Sequence, residues 1–281
     1  DYDPEYAVVF SGDHISKMDY AEMVRRHKET QADCTIAVIN VPPEETSRFG
    51  IMSTDADGRI VKFEEKPKKT DSTQASMGVY VFSKDKLFQY LEADDRDPSS
   101  ENDFGKNIIP HMLSAGERMF AYPFEGYWKD VGTIQSLWEA NMDLLGDRPA
   151  LDLRDESWRI FSRNYAEPPH FVGENAVIGN ALVTEGCEIY GSVVNSVISG
   201  GVVVEKGATV KDSVILDGVR ICEGAQVRYS ILDAGTTVGR GACVGCERKN
   251  ASGITLVGGG LTLPENAVIP DGVRPDAAYV A

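Results

Sequence analysis

An α/β sheet domain followed by a solenoid of stacked parallel β-coils is the fold class this sequence predicts. Three observations predict it. Strand-like apolar runs alternate with helical patterns over residues 1–145, as expected of a sheet with crossover helices. Helical patterns then vanish beyond residues 146–170, a stretch that carries Pro149, Pro168 and Pro169 and reads as a linker. From Asn195 a 17-residue repeat runs through three units without gaps, and repeats built on apolar residues six apart mark β-helices.

The elements follow in order. Ala7-Val8-Val9-Phe10 reads as a buried parallel strand that delivers Ser11-Gly12-Asp13-His14 to its C-terminal edge, where open α/β sheets place their ligands. Asp19 and Glu22 have capping-box spacing and open a helix through about His27. Residues 35–41, 59–64 and 77–82 are strands, and residues 84–91 form a helix with Leu87, Phe88 and Leu91 on one face. Residues 103–113 form a helix interrupted at Pro110, and residues 119–123 a short strand. Thr133 caps a helix over residues 135–145, with Leu137, Trp138, Asn141, Leu144 and Leu145 in its pattern.

In the repeat, Val197, Val214 and Ile231 share one column and Val204, Ile221 and Val238 another. Gly207, Gly224 and Gly241 form a third, each followed by alanine, and Val210, Val227 and Val244 close the set. The glycines belong at corners with positive φ. The aliphatic columns form a core only when coils stack. Such a solenoid implies assembly or rigidity, not chemistry.

Composition excludes several function classes. The net charge is −16 over 281 residues, which argues against a nucleic-acid surface. An anionic substrate then needs a local cation or a metal ion. No membrane-spanning run appears. The five scattered cysteines point to a reducing, cytoplasmic compartment. Cys243 and Cys246 lack a second pair, so they read as ordinary thiols.

The residues able to carry chemistry are few. Asp13, after a strand and a glycine, suits a Mg²⁺ ion approaching a phosphate, or a helix cap. Glu65 and Lys66 end a strand; they suit sugar hydroxyls and a phosphate, or a solvated ion pair. Ser76 opens a strand and is placed for a ligand hydrogen bond, while Gly50 lets a ligand approach the backbone or satisfies a bend. Asp130 in Gly126-Tyr127-Trp128-Lys129-Asp130-Val131-Gly132-Thr133 is a second Mg²⁺ ligand or a helix cap. His14 is the weaker candidate at its strand end. No Ser-His-Asp order and no His/Cys metal cluster support hydrolase chemistry.

Taken together, these motifs resemble a known family. Ser11-Gly12-Asp13-His14-Ile15, Ser47-Arg48-Phe49-Gly50-Ile51-Met52, Phe63-Glu64-Glu65-Lys66-Pro67, Ala75-Ser76-Met77-Gly78-Val79-Tyr80, Asp103-Phe104-Gly105-Lys106, residues 126–133 and Trp138-Glu139-Ala140-Asn141 are similar, in that order, to bacterial glucose-1-phosphate adenylyltransferases. The likeness covers nearly the whole chain. It implies part of a Rossmann-like nucleotidyltransferase domain over residues 1–145, a linker over 146–170, and a left-handed parallel β-helix over 171–281. It also implies ATP and glucose 1-phosphate as substrates, ADP-glucose and pyrophosphate as products, a place in glycogen synthesis, and Mg²⁺. By motif match Asp13 is the catalytic carboxylate and a metal ligand, with Asp130 its partner. Gly50, Glu65, Lys66 and Ser76, and Asp103 more remotely, face glucose 1-phosphate. The family and the solenoid imply a homotetramer or a hetero-oligomer with a paralogous subunit.

Two departures stand out. The family's glycine-rich ATP loop does not precede residues 7–10, so the chain alone is expected to bind ATP poorly and to be inactive. Ser16 stands where the family has tyrosine. A non-catalytic regulatory or assembly subunit, and a relative using another sugar nucleotide, are the alternatives; retention of Asp13, Glu65, Lys66 and Asp130 together favours the enzyme.

Overall fold

The computed structural model describes residues 3–162 and 166–275. Two compact units divide it, Asp1–Asp130 and Val131–Ala281. The first is a mixed sheet with helices. Its strands are β1 (Tyr6–Val9), β3 (Cys34–Asn40), β4 (Gly50–Thr54), β5 (Ile60–Glu65), β6 (Gln74–Ser83) and β7 (Met119–Pro123), while β2 (His14–Ser16) and β8 (Trp128–Asp130) pair apart from it. The order is β5-β4-β6-β3-β7, with β1 beside β6. Helices α1 (Tyr20–Glu29), α2 (Lys84–Asp95) and α3 (Ile109–Ser114) flank it. Among the described residues, no helix is long and apolar enough to cross a membrane.

The opening strand departs from expectation. β1 runs antiparallel to β6, is half-buried along its length, and leaves Phe10 exposed. β4 covers only Gln74 and Ala75 on β6, and β1 takes the free stretch from Tyr80 to Ser83. An apolar run reports a demand for burial; it does not report the direction of the neighbouring strand. β3 does have the expected buried character and pairs in parallel with β7.

Two helices also differ in detail. Asp19 caps α1 by accepting from the Ala21 N–H, but Glu22 pairs with Arg25 instead of reaching back to close a box. α2 buries Leu87 and Tyr90, whereas Phe88 and Leu91 are exposed. The segment after Asp103 starts as one wide helical turn, Phe104–Ile108, before α3. The interruption thus precedes Pro110, which sits in the first turn of α3, where a missing N–H goes unnoticed.

His27 is fully buried where α1 meets the sheet. Ser83 donates to the Ala32 carbonyl, so its oxygen accepts from His27 Nε2 at 3.3 Å, while Thr35 Oγ1 stands 2.8 Å from Nδ1. Burial, opposed by the nearby Asp33 carboxylate, lowers the imidazole to about 4. The unfolded chain takes this proton near pH 6.5 and the folded chain only near 4. Stability is therefore unaffected above pH 6.5, falls between 6.5 and 4, and loses on the order of 3 kcal/mol in all. Urea unfolding at pH 7 and pH 4.5 is expected to show a flatter pH dependence in His27→Leu than in the parent; equal slopes would refute the buried neutral imidazole.

The second unit is the predicted solenoid. Three parallel sheets, of six, five and six strands, wrap one core. The repeat columns stack as read: Val197 on Val214 on Ile231, Val204 on Ile221 on Val238, Val210 on Val227 on Val244. Gly207, Gly224 and Gly241 turn corners at φ +71°, +71° and +67°. A serine ladder lines one inner corner. Each of Ser196, Ser213 and Ser230 donates its hydroxyl to the carbonyl two residues back, and the Ser213 and Ser230 N–H groups donate to the serine oxygen of the coil before. Beyond the repeat the spacing changes. Ile231 pairs with Leu256, a step eight residues longer than the 17 between Val214 and Ile231. The extra length includes the short helical turn Arg248–Asn250.

Helix α4 (Ile134–Met142) lies on the outside of these coils. Thr133 and Ser136 form a reciprocal capping box. Trp138, 1% exposed, packs with Val214, Tyr229, Ile231 and Ile254 and donates Nε1–H to the Asp212 carbonyl at 2.8 Å. The Arg248 guanidinium, carried by the lengthened coil, sits 4.6 Å from the Trp138 ring.

Candidate active site

One cleft of about 490 Å³ gathers Asp13, Gly50, Glu65, Lys66, Ser76, Asp103 and Asp130, and the weaker candidate His14 with them. Five places in the fold supply them. The turn between β1 and β2 carries Asp13. The start of β4 and the end of β5 carry Gly50, Glu65 and Lys66. The first part of β6 carries Ser76, and Asp103 caps the wide helical turn. Asp130 ends β8.

The two acidic residues meet through a strand pair that the sequence did not announce. β2 and β8 run antiparallel with His14 opposite Asp130 and Ser16 opposite Trp128. Residues more than a hundred positions apart thus share one edge. Donor atoms of Asp13, His14 and Asp130 all lie within 4.8 Å of one another. The Ser11 hydroxyl donates to Asp13 Oδ1 at 2.5 Å, and this bond holds the Asp13 carboxyl below the usual carboxylate range. Arg48 Nη2 stands 3.8 Å from Asp130 Oδ2.

The opposite wall is closely packed and polar. Gly50 pairs with Glu65 across β4 and β5. A Cβ at Gly50 would fall 2.5 Å from Phe63 Cζ and 2.9 Å from Glu65 Oε2, so glycine is required for close packing there. Burial pushes the Glu65 carboxyl up; Lys66 opposes this and Asp103 adds to it. Lys66 adopts φ +46°, its N–H donates to the Phe49 carbonyl, and its ammonium lies 3.9 Å from Glu65 Oε1. Ser76 Oγ accepts from the Gly78 N–H and donates to the Tyr80 hydroxyl at 3.5 Å. Asp103 caps its helical turn, accepting from the Lys106 N–H.

Reading the sequence missed part of the lining. Tyr80 and Phe104 stack at 5.6 Å as an aromatic base, and burial pushes the Tyr80 phenol up to about 12, which keeps its proton in place. Ser76, Gly78 and Tyr80 all line the cleft, and strand alternation (residues two apart share a face) was the signal that could have found Tyr80. Arg48 and Asn102 also line it and were not singled out; Arg48 lay inside a quoted motif.

The donor set fits a divalent cation. Asp13, in the turn that leads into β2, and Asp130, at the end of the facing β8, bring two carboxylates together, and carboxylate oxygens are the donors hard divalent ions take.

Comparisons with known proteins bear on the family and its domains. Residues 1–146 match the family model described as nucleotidyl transferase, and residues 168–263 match that described as GlmU-like, C-terminal hexapeptide. The second match and the three parallel sheets are consistent with a left-handed β-helix. The chain is 51% identical to a glucose-1-phosphate adenylyltransferase of Desulforamulus reducens, over 95% of this chain and 68% of that protein. It is 58% identical to one of Clostridium perfringens over 75% of this chain and 54% of that protein, and 54% identical to one of Bacillus cereus over 74% and 56%. Against these relatives the chain spans between about half and two thirds of their length. With a matching domain over residues 1–146, the expected solenoid and an acidic cleft on the sheet, the chain belongs to the nucleotidyl transferase family, beside the glucose-1-phosphate adenylyltransferases.

Proposed function

We propose that this chain carries the sugar-phosphate side of a glucose-1-phosphate adenylyltransferase site. The observation that carries the reading is the convergence of Asp13, Gly50, Glu65, Lys66, Ser76, Asp103 and Asp130 on one cleft. Glu65 accepts hydrogen bonds from sugar hydroxyls, with Asp103 beside it. Ser76 adds a hydroxyl partner, and Gly50 keeps the wall thin. Lys66 faces the phosphate as a point charge. Asp13 and Asp130 would hold Mg²⁺, which when bound neutralises charge on the phosphates. In the whole protein the phosphate oxygen of glucose 1-phosphate attacks the α-phosphorus of ATP in line. Pyrophosphate leaves, ADP-glucose forms for glycogen synthesis, and no covalent protein intermediate is needed.

On this reading residues 1–145 serve catalysis, residues 146–170 connect, and residues 171–281 serve assembly. The assembly is a homotetramer or a hetero-oligomer with a paralogous subunit, in the cytoplasm. All five cysteines are free thiols, which suits that compartment.

Calorimetric titration of the chain with glucose 1-phosphate is expected to show saturable binding without ATP. Lys66→Ala is expected to weaken it roughly 10- to 100-fold, the usual loss for a hydrogen bond to a charged group. Equal binding of glucose 1-phosphate by parent and variant, or no binding by the parent, would sink the assignment.

A further inference from the structure

The proposed ion site so far uses two carboxylates. Between them stands a histidine whose ring is fixed from three sides. His14 Nδ1 lies 2.6 Å from the Met77 carbonyl oxygen. A carbonyl oxygen only accepts, so Nδ1 carries the proton of the neutral ring and Nε2 presents its lone pair. The Trp128 ring meets His14 edge-on at 5.2 Å. On the third side Gly78, at φ +65°, leaves space that a Cβ would close, since that atom would sit 3.0 Å from His14 Cε1 and 3.3 Å from Nδ1.

The lone pair is in the right neighbourhood. His14 Nε2 lies 3.7 Å from Asp13 Oδ1, too far for a hydrogen bond. One donor atom each from Asp13, His14 and Asp130 fall within a 4.8 Å spread. Ligands on opposite sides of an ion, at about 2.0–2.3 Å each, stand roughly 4–4.6 Å apart. Closing the set therefore needs only a small shift. Imidazoles that ligate metals also typically give their other N–H to a backbone carbonyl or carboxylate, as Nδ1 does here.

We propose that His14 Nε2 is a third protein ligand of the divalent ion held by Asp13 and Asp130. The inference rests on the reading of this cleft as a divalent-ion site, and it adds a choice of metal. Mg²⁺ takes oxygen ligands, whereas an imidazole nitrogen favours transition-metal ions. The chain should bind Mn²⁺ at least about tenfold more tightly than Mg²⁺.

The test is electron spin-echo envelope modulation on the full chain loaded with one equivalent of Mn²⁺. The expected spectrum shows modulation from one imidazole nitrogen. It should vanish in His14→Gln, with Mn²⁺ affinity down about tenfold or more. It should persist in Arg48→Gln, which removes the cation beside Asp130 and leaves His14 alone. Oxygen-only coordination in the unaltered chain, no Mn²⁺ binding, or a nitrogen signal that survives in His14→Gln would each overturn the proposal. The first two need no variant to fold. Titration with glucose 1-phosphate in the absence of metal judges the functional reading separately. A chain that coordinates Mn²⁺ through nitrogen yet ignores glucose 1-phosphate would sink that reading and keep this one.

Discussion

Replacing Asp13 with asparagine is expected to cut pyrophosphate release from ATP and glucose 1-phosphate about 10³-fold, in a protein carrying the full length of its relatives. Binding of glucose 1-phosphate without metal should stay within about threefold of the parent. The reason is charge, not shape. Asparagine keeps an oxygen where the Ser11 hydroxyl donates, 2.5 Å away, and removes the anion that this bond stabilises. Losing one preorganised electrostatic group at a transition state typically costs 10²–10³ in rate, and a lost metal ligand acts in the same direction. Steady-state assays with parent and variant decide the matter. Undiminished turnover in Asp13→Asn would remove Asp13 from the chemistry.

The second large effect concerns stability. Trp138→Ala is expected to destabilise the second unit by about 3–5 kcal/mol, the usual range for truncating a buried tryptophan. Trp138 fills the contact between α4 and the coils, and its indole N–H satisfies the Asp212 carbonyl. Trp138→Phe keeps most of the packing and leaves that carbonyl unpaired, so it should lose about 1–3 kcal/mol. Urea unfolding of the full chain with both variants gives the comparison. A loss below about 1 kcal/mol in Trp138→Ala would show that this contact does not hold α4.

The solenoid was the most legible part of the molecule. Its columns are set by local chemistry repeated at a constant interval, so Val204, Ile221 and Val238 could be aligned before any coil was seen, and they pair in that register. The lengthened coil after Gly245 was not legible, because no repeat marks where a corner takes on extra chain. In the sheet unit, β1, β3, β5, β6 and β7 could be read as strands but not their partners, and β4, which starts at Gly50 where a bend was expected, was not read, nor were the short β2 and β8. β1 offered the same apolar run whether its neighbour ran parallel or antiparallel. The candidate site was legible as a set of residue types at the ends of strands. Its geometry was not. The approach of Asp13 to Asp130 depends on the pairing of β2 with β8, and a three-residue strand carries too little pattern to announce a partner so distant in sequence. His14 and Tyr80 were passed over or discounted for the same reason, since their value comes from what they face.

The lengthened coil has one more consequence. Eight added residues leave the strand pairing intact on either side, Ile231 with Leu256 and Cys243 with Val268. Growth of this domain is therefore quantised along its axis, while this one corner takes up added chain. A peptide grafted into a glycine corner such as Gly224 would be displayed outside the stack without disturbing its register, which makes the coil a scaffold for added chain.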